Sequence, residues 1–142
     1  MTNLVNASTR FSVLIIENEP TYSIRILQMI CMKYSQAVVL IAKNEDDATW
    51  MMERFGQGID IIILDRNLSG EKTIPFDSGT LIAPLRARWP KAKIIGMSMV
   101  KENRGLLLEA GCHEFMWKMD LCVGSDESWT PFDKAVTFTS SR

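Results

Sequence analysis

Short, continuous runs of apolar residues recur along the chain, separated by longer segments with helical periodicity. Five such runs can be distinguished, at residues 11–16, 37–41, 59–64, 93–98 and 114–118. They are rich in β-branched residues and mostly apolar on both faces, which is typical of central parallel strands covered by helices on both sides. The pattern therefore predicts five parallel strands.

The segments between the predicted strands carry helix signals. Residues 21–34 follow Pro20 and place apolar side chains four positions apart, on one face. Asn44 is suited to cap a second helix, which ends at Gly56.

Two further helices are predicted in the second half of the chain. One lies within residues 80–89, where Pro84 predicts a late start or a kink. The other covers roughly residues 102–110 and ends at Gly111. Strands that alternate with helices predict an α/β fold, a doubly wound parallel sheet with right-handed crossovers.

The tail after Met119 differs from the rest of the chain. It has little helical periodicity and a proline in its middle, so a fifth helix has poor support. Trp129, Phe132, Val136 and Phe138 could form the apolar face of one short helix, and the last four residues look frayed.

The length of 142 residues corresponds to one domain. We divide the chain into an N-terminal extension (1–10), the predicted α/β domain (11–120) and a C-terminal tail (121–142), which forms a short or atypical final helix.

Composition excludes several classes of protein. Sixteen Lys and Arg against seventeen Asp and Glu give a net charge of -1, which disfavours a stand-alone nucleic-acid-binding role. No apolar run approaches the roughly 20 residues of a membrane helix, and the N-terminus lacks a signal peptide pattern. We therefore expect a cytoplasmic protein without membrane contact. Cys31, Cys112 and Cys122 form no CxxC pair, so we expect free thiols and no zinc site.

Polar side chains stand where four of the predicted strands end. They are Glu17, Asn18 and Glu19 after the first, Asp65, Arg66 and Asn67 after the third, Ser98 at the end of the fourth and Lys118 at the end of the fifth. Ligands of open parallel sheets bind at this edge. Oxygen ligands suit Mg²⁺, and an Asp carboxylate can attack phosphorus to form an acyl phosphate. A lysine and a hydroxyl could hold the phosphoryl oxygens.

From about residue 11 to residue 119, the chain resembles the receiver domain of two-component response regulators, as in chemotaxis regulators. The pieces that carry the resemblance are LIIENEP, IDIIILDRNLSG, IIGMS and EAGCHEFMWK, in that order, each at a strand end. The spacing of seven residues from Gly111 to Lys118 is also similar. The resemblance implies a flavodoxin-like sheet with strand order 2-1-3-4-5.

The resemblance also implies site roles. Asp65 matches the phosphoacceptor. Glu17 and Asn18 match the acidic pair that organises Mg²⁺, to which Asp65 and the backbone carbonyl of Asn67 also contribute.

Three further positions match the residues that respond to the phosphoryl group. Ser98 matches the hydroxyl that follows this group, and Lys118 the lysine that pairs with the acceptor. Phe115 matches the aromatic switch residue. The implied donor is a sensor histidine kinase or a histidine phosphotransfer protein. The implied output is a downstream protein bound at the face of the fourth helix and fifth strand, without direct nucleic-acid contact.

This sequence departs from the family's pattern at several positions. Asn18 brings no charge, so we expect weaker Mg²⁺ binding than with two acids. Met99 could shield the site. Met119 replaces a residue that is usually a cis proline, which predicts a trans bond and a different loop. The loop that carries residues 71–79 is longer than usual.

Two alternatives to a phosphoacceptor module remain open. A degenerate receiver would act as a phosphorylation-independent protein–protein interaction module. A small enzyme with an aspartyl-phosphate intermediate ranks last, because only Arg66 and Asn67 follow Asp65, and neither is a second acid. We therefore predict a phosphoryl acceptor with self-catalysed phosphotransfer and autodephosphorylation only.

The remaining charged residues have simpler interpretations. Glu19 is expected in solvent and His113 at the surface after a helix. A solvated face is also expected for the basic residues around Trp89, namely Arg86, Arg88, Lys91 and Lys93.

Overall fold

A computed structural model describes residues 10–56, 58–67 and 78–141. In these ranges, five strands form one sheet: β1 (Phe11–Ile16), β2 (Ala37–Ala42), β3 (Ile61–Asp65), β4 (Lys93–Ser98) and β5 (Glu114–Trp117). Their order is β2-β1-β3-β4-β5, and every neighbouring pair is parallel. The predicted fold class and strand order are confirmed.

Within the part of the chain that the structure describes, six α-helices surround the sheet. They are α1 (Pro20–Lys33), α2 (Glu45–Arg54), α3 (Ile82–Arg88), α4 (Asn103–Ala110), α5 (Lys118–Val123) and α6 (Thr130–Ser141). The predicted cap of α2 is present, since Asn44 Oδ1 accepts a hydrogen bond from the backbone N–H of Asp47 at 2.8 Å. The predicted late start of the third helix is also present. A 3-10 turn (Ser78–Leu81) precedes α3, and Pro84 lies in its first turn, where no backbone donor is needed.

Apolar residues of the strands pack on both faces of the sheet. In β1, Val13 and Ile15 belong to one hydrophobic cluster, while Leu14 and Ile16 belong to the other. Successive side chains of a strand point to opposite faces, so a continuous apolar run needs cover on both sides. The first cluster includes residues of α1, α5 and α6, and the second includes residues of α2, α3 and α4.

The tail is more ordered than its sequence predicts. Helix α5 begins directly at Lys118, and α6 continues through Ser141, so the expectation of fraying near the C-terminus is wrong at residues 139–141. Trp129, Phe132 and Val136 are fully buried in the first cluster. The tail thus supplies cover for the same face of the sheet as α1.

Two local expectations are also wrong. His113 is half-buried, and its Nδ1 accepts a hydrogen bond from the backbone N–H of Ile94 at 2.9 Å. Arg88 is half-buried and not a freely solvated side chain, since it donates to the carbonyl oxygens of Met52 and Phe55, both at 2.6 Å. These carbonyls lie at the end of α2, where helices lack internal donors.

All three cysteines are free thiols, as expected, with Cys31 exposed and Cys112 and Cys122 buried. Within the described ranges every peptide bond is trans, including that between Lys118 and Met119. No described helix has the length and apolar character needed to span a membrane. Residues 1–9 of the predicted extension and 71–77 of the predicted long loop lie outside the described residues.

Candidate functional site

The carboxyl edge of the sheet brings together three of the predicted site residues. Glu17 directly follows β1, Asp65 ends β3 and Lys118 directly follows β5. β1 and β3 are neighbours in the sheet, so the two carboxylates stand side by side. Lys118 reaches them from the far strand with its long side chain.

The ammonium group of Lys118 is enclosed by these two carboxylates and one aromatic ring. Its Nζ lies 2.6 Å from Glu17 Oε1 and 3.1 Å from Asp65 Oδ1. The ring centroid of Tyr22, on α1, is 4.7 Å away. The side chains of Lys118, Glu17 and Asp65 are 7%, 0% and 5% exposed. A buried ammonium is costly unless it is paired, and here it is paired twice.

Burial and charge shift the pKa values of this cluster in defined directions. Burial, and then the negative charge of Glu17, raise the pKa of Asp65 to about 7, although Lys118 and the backbone N–H of Asn67 act against this shift. Burial disfavours the charged form of Lys118, but its contacts with Asp65 and Glu17 outweigh burial and raise its pKa. Lys118 is therefore a cation at neutral pH.

The loop after β1 turns one acid inward and leaves another in solvent. Glu17 is buried, and its Oε2 accepts a hydrogen bond from the backbone N–H of Glu19 at 2.9 Å. Glu19 is exposed, as expected, and Asn18 between them is half-buried. The backbone N–H of Glu17 donates a hydrogen bond to the carbonyl oxygen of Ala42 at a distance of 3.0 Å, which connects the loop to β2.

The oxygen atoms at this edge are of the kind that binds a hard divalent cation, but only two of the residues, Glu17 and Asp65, bring a negative charge. In the described ranges, no three His, Cys, Asp or Glu side chains gather in a way that could hold a metal ion. Glu17 and Asp65 are two carboxylates against one ammonium, and repulsion by Glu17 adds to burial in raising the pKa of Asp65. An added cation would relieve that repulsion. Asn18 and the carbonyl of Asn67 would be the neutral oxygen donors.

Ser98 ends β4 and is buried, but its hydroxyl is engaged on the side of α4. Ser98 Oγ accepts hydrogen bonds from Val100 N at 3.0 Å and from Asn103 Nδ2 at 2.9 Å. Phe115 packs against the second hydrophobic cluster. Met99, which was expected to shield the site, is 44% exposed.

Sequence reasoning identified the carboxylates, the lysine and Ser98, but missed one neighbour of the charged cluster and two residues that contact Ser98 or Met99. Tyr22 falls within residues 21–34, where the periodicity predicts only the apolar face of a helix, and no sequence pattern assigns a role to Asn103 or Trp117. The indole Nε1 of Trp117 donates to the carbonyl of Met99 at 2.9 Å. No linear pattern marks these contacts, since Tyr22 and Lys118 come together only through the packing of α1 against α5.

Neither protein-family models nor curated proteins match this sequence. Solved structures do match. A response regulator from Thermotoga maritima shares 21% identity at a TM-score of 0.68, with 90% of this chain and 98% of that chain covered. A CheY-like response regulator receiver domain protein from Methanospirillum hungatei shares 16% identity at a TM-score of 0.69, with 94% and 99% covered.

A third match is to a response regulator from Burkholderia pseudomallei whose structure contains a phosphorylated aspartic acid, a calcium ion and citrate. Its identity is 16% at a TM-score of 0.63, with 89% of this chain and 74% of that chain covered. These identities are low, but the matches span most of the chain and agree with the strand order. The chain therefore has the fold of a response regulator receiver domain.

Proposed function

We propose that this chain is a receiver module of two-component signal transduction that accepts a phosphoryl group on Asp65. The observation that carries the proposal is the buried cluster at the carboxyl edge, where Lys118 Nζ lies 3.1 Å from Asp65 Oδ1 and 2.6 Å from Glu17 Oε1. A nucleophilic carboxylate beside a fixed cation is suited to attack a phosphoryl group and to hold the product.

The transfer requires an ionised Asp65. One carboxylate oxygen attacks the phosphorus of a phosphohistidine, so a P–O bond forms, the P–N bond breaks, and the imidazole leaves with a proton. Lys118 supports the reaction in two ways: it favours the ionised carboxylate, and it can bind a phosphoryl oxygen. Water later hydrolyses the acyl phosphate, which returns the Asp65 carboxylate and inorganic phosphate. This is self-catalysed chemistry of an acceptor, without turnover of a separate substrate.

Magnesium is the proposed cofactor. Glu17, Asn18, Asp65 and the carbonyl oxygen of Asn67 would hold it, and when bound it supplies positive charge that favours the ionised Asp65 and neutralises phosphoryl oxygens. The calcium ion and phosphorylated aspartic acid in the Burkholderia pseudomallei structure support this proposal by analogy of fold.

The proposed partners follow from the same role. A sensor histidine kinase or a histidine phosphotransfer protein would donate the phosphoryl group in the cytoplasm. A downstream protein would bind the face of α4 and β5, where Val100 and Leu106 are 50% and 54% exposed. No membrane or nucleic-acid contact is part of the proposal.

Intact mass after incubation with a small phosphodonor and Mg²⁺ tests the proposal. We expect one phosphoryl adduct in the wild type and none in Asp65→Asn. Asp46→Asn, a change at an exposed position of α2, is the matched control and should still be phosphorylated. Omission of Mg²⁺ should suppress the adduct.

One alternative is favoured by a specific residue. Asn18 removes a negative charge from the cation site, as expected for a degenerate receiver that acts as a phosphorylation-independent interaction module. A folded wild type that forms no adduct, and that shows no saturable response to Mg²⁺, would support this alternative and contradict phosphorylation of Asp65.

A further inference from the structure

The loop between β4 and α4, residues 99–102, is held from two sides. On the side of α4, the side-chain amide of Asn103 donates to Ser98 Oγ at 2.9 Å, and the backbone N–H of Val100, within the loop, donates to the same oxygen at 3.0 Å. Both lone pairs of the hydroxyl oxygen are thereby used. These two donors, one in the loop and one at the first residue of α4, fix the rotamer of Ser98 and hold its oxygen towards the start of α4.

On the side of β5, Trp117 contacts the backbone and a side chain of the same loop. Its indole donates to the carbonyl of Met99 at 2.9 Å, and Lys101 Nζ stands 4.2 Å from the ring centroid. Trp117 is also the register partner of Ser98 in the β4–β5 pair. A change in the position of Met99, the residue after Ser98, therefore acts directly on this indole.

Phe115 is less closely connected to the loop than Trp117. Its register partner is Gly96, two residues before Ser98, and its ring packs against the second cluster. The two aromatic residues are two positions apart on one strand and so share a face of the sheet. Of this pair, it is Trp117 that donates a hydrogen bond to the residue after Ser98.

We propose that Asn103 and Trp117 form a latch on the loop 99–102, and that Trp117 is the positioning residue through which β5 senses Ser98. The proposal rests on the function proposed above. β4 lies between β3, which carries Asp65, and β5, which carries Trp117. A phosphoryl group on Asp65 that draws Ser98 Oγ towards β3 must break its bond to Asn103 and pull the loop away from Trp117.

The latch would convert a small displacement of Ser98 into a change in the exposed surface formed by the loop 99–102 and α4. The loop carries Met99 and Val100, which are 44% and 50% exposed, and Leu106 on α4 is 54% exposed. Release of the two hydrogen bonds would reposition these apolar side chains beside α4. Coupling of this kind is reciprocal, so whatever weakens the latch favours the phosphorylated conformation.

The four indole N–H groups of the chain provide the first test, by ¹H–¹⁵N spectra assigned with Trp→Phe variants. Beryllofluoride with Mg²⁺ is the probe for the phosphorylated state. We expect the Trp117 signal to shift on addition of the probe. The Trp129 indole, which donates to the carbonyl of Asp120 at 3.0 Å, should stay in place and report an intact fold.

A double-mutant cycle provides the second test. Asn103→Ala should raise the affinity for beryllofluoride about two- to tenfold, since activation no longer breaks that hydrogen bond. The same change in a Ser98→Ala background should have no effect. Trp50→Phe, which alters an exposed indole that stacks with Arg54 at 5.2 Å, is the matched control and should leave the affinity unchanged. A merely structural role of Asn103 would lower stability without a gain in affinity.

A third measurement separates failure of the latch from failure of the proposed function. In the protein without the probe, Ser98→Ala and Asn103→Ala should each shift the Trp117 indole signal, and Phe115→Leu should leave this coupling intact. If neither Ser98→Ala nor Asn103→Ala shifts the Trp117 indole signal, the proposed latch is wrong, even if beryllofluoride binds. Absence of beryllofluoride binding together with the expected shifts would contradict phosphorylation of Asp65 but support the latch.

Discussion

Lys118 and Glu17 form the shortest ion pair of the site, with Nζ and Oε1 2.6 Å apart and both side chains almost fully buried. The contact of Lys118 with Asp65 is longer, at 3.1 Å. Both oxygens of Glu17 are engaged, because Oε2 accepts from the backbone of Glu19. Glu17 thus organises the lysine as well as the proposed cation site, and a bound cation must share this carboxylate with Lys118.

Replacement of the lysine tests how far this charge balance supports the fold. Lys118→Met leaves two buried carboxylates without a compensating cation, so we expect the free energy of unfolding to fall by about 3–5 kcal/mol. Urea unfolding at neutral pH measures the loss. Lys134→Met is the matched control. Its ion pair with Glu114, at 3.7 Å, is exposed and should be worth about 1 kcal/mol or less. Equal losses in the two variants would contradict the importance of the buried pair.

The charge at residue 18 should set the affinity for magnesium. Asn18→Asp adds a carboxylate to the proposed donors, and we expect Mg²⁺ to bind about tenfold more tightly or better, since ligand charge tunes such sites. Isothermal titration measures the affinity. Removal of the charge of exposed Glu19, in Glu19→Gln, should change the affinity little. An Asn18→Asp variant that binds Mg²⁺ no better than the wild type would argue against residue 18 as a ligand.

The ring of Tyr22 should matter more than its hydroxyl. Lys118 Nζ lies 4.7 Å from the ring centroid, a distance at which a cation–π contact contributes about 0.5–2 kcal/mol. We expect Tyr22→Leu to slow phosphorylation of Asp65 by a small-molecule donor by about threefold or more, and Tyr22→Phe to keep the wild-type rate. Initial rates from intact mass provide the measurement. If Tyr22→Phe also slowed the phosphorylation of Asp65, the hydroxyl of Tyr22, and not its ring, would be responsible.

His113 should make stability fall in acid. Burial, and then the charges of Lys93 and Arg86, lower the pKa of His113, although Glu114 acts against them. The folded state therefore favours neutral imidazole, whose Nδ1 accepts from Ile94 N. Stability is retained above the unfolded pKa of about 6.5 and is lost as the pH falls from there through the lowered pKa of the folded state. Urea unfolding between about pH 7.5 and 5 should show a weaker pH dependence in His113→Asn than in the wild type. Identical slopes would contradict this assignment.

The tail should be part of the cooperative unit of folding. Trp129 is fully buried, and its ring centroid lies 5.0 Å from that of Phe132. We expect Trp129→Ala to cost about 3–5 kcal/mol of unfolding free energy. Trp50→Ala removes an indole that is 55% exposed and should cost about 0.5 kcal/mol or less. If the two costs were similar, the tail would not contribute to the core.

The sequence alone determined the sheet and the position of the site. Runs such as 11–16 and 93–98 are apolar on both faces, and only a sheet covered by helices on both sides can bury them. Parallel strands place their carboxyl ends at one edge, so Asp65, Glu17 and Lys118 could be assigned to one site before their contacts were known. The helix cap at Asn44 could also be predicted from the sequence, because capping depends on residues that are close in the chain.

The tertiary structure decided the rest. The extent of the helix in the tail was underestimated, because α6 is rich in Thr and Ser. Three of their hydroxyls, those of Thr137, Thr139 and Ser140, donate to carbonyls four residues earlier, and burial of Trp129 and Phe132 stabilises this segment. The sequence likewise could not pair Glu17 or Tyr22 with Lys118, or Trp117 with Met99. Local patterns encode periodicity, caps and turns, whereas contacts between distant residues depend on how helices and strands pack, which no local pattern specifies.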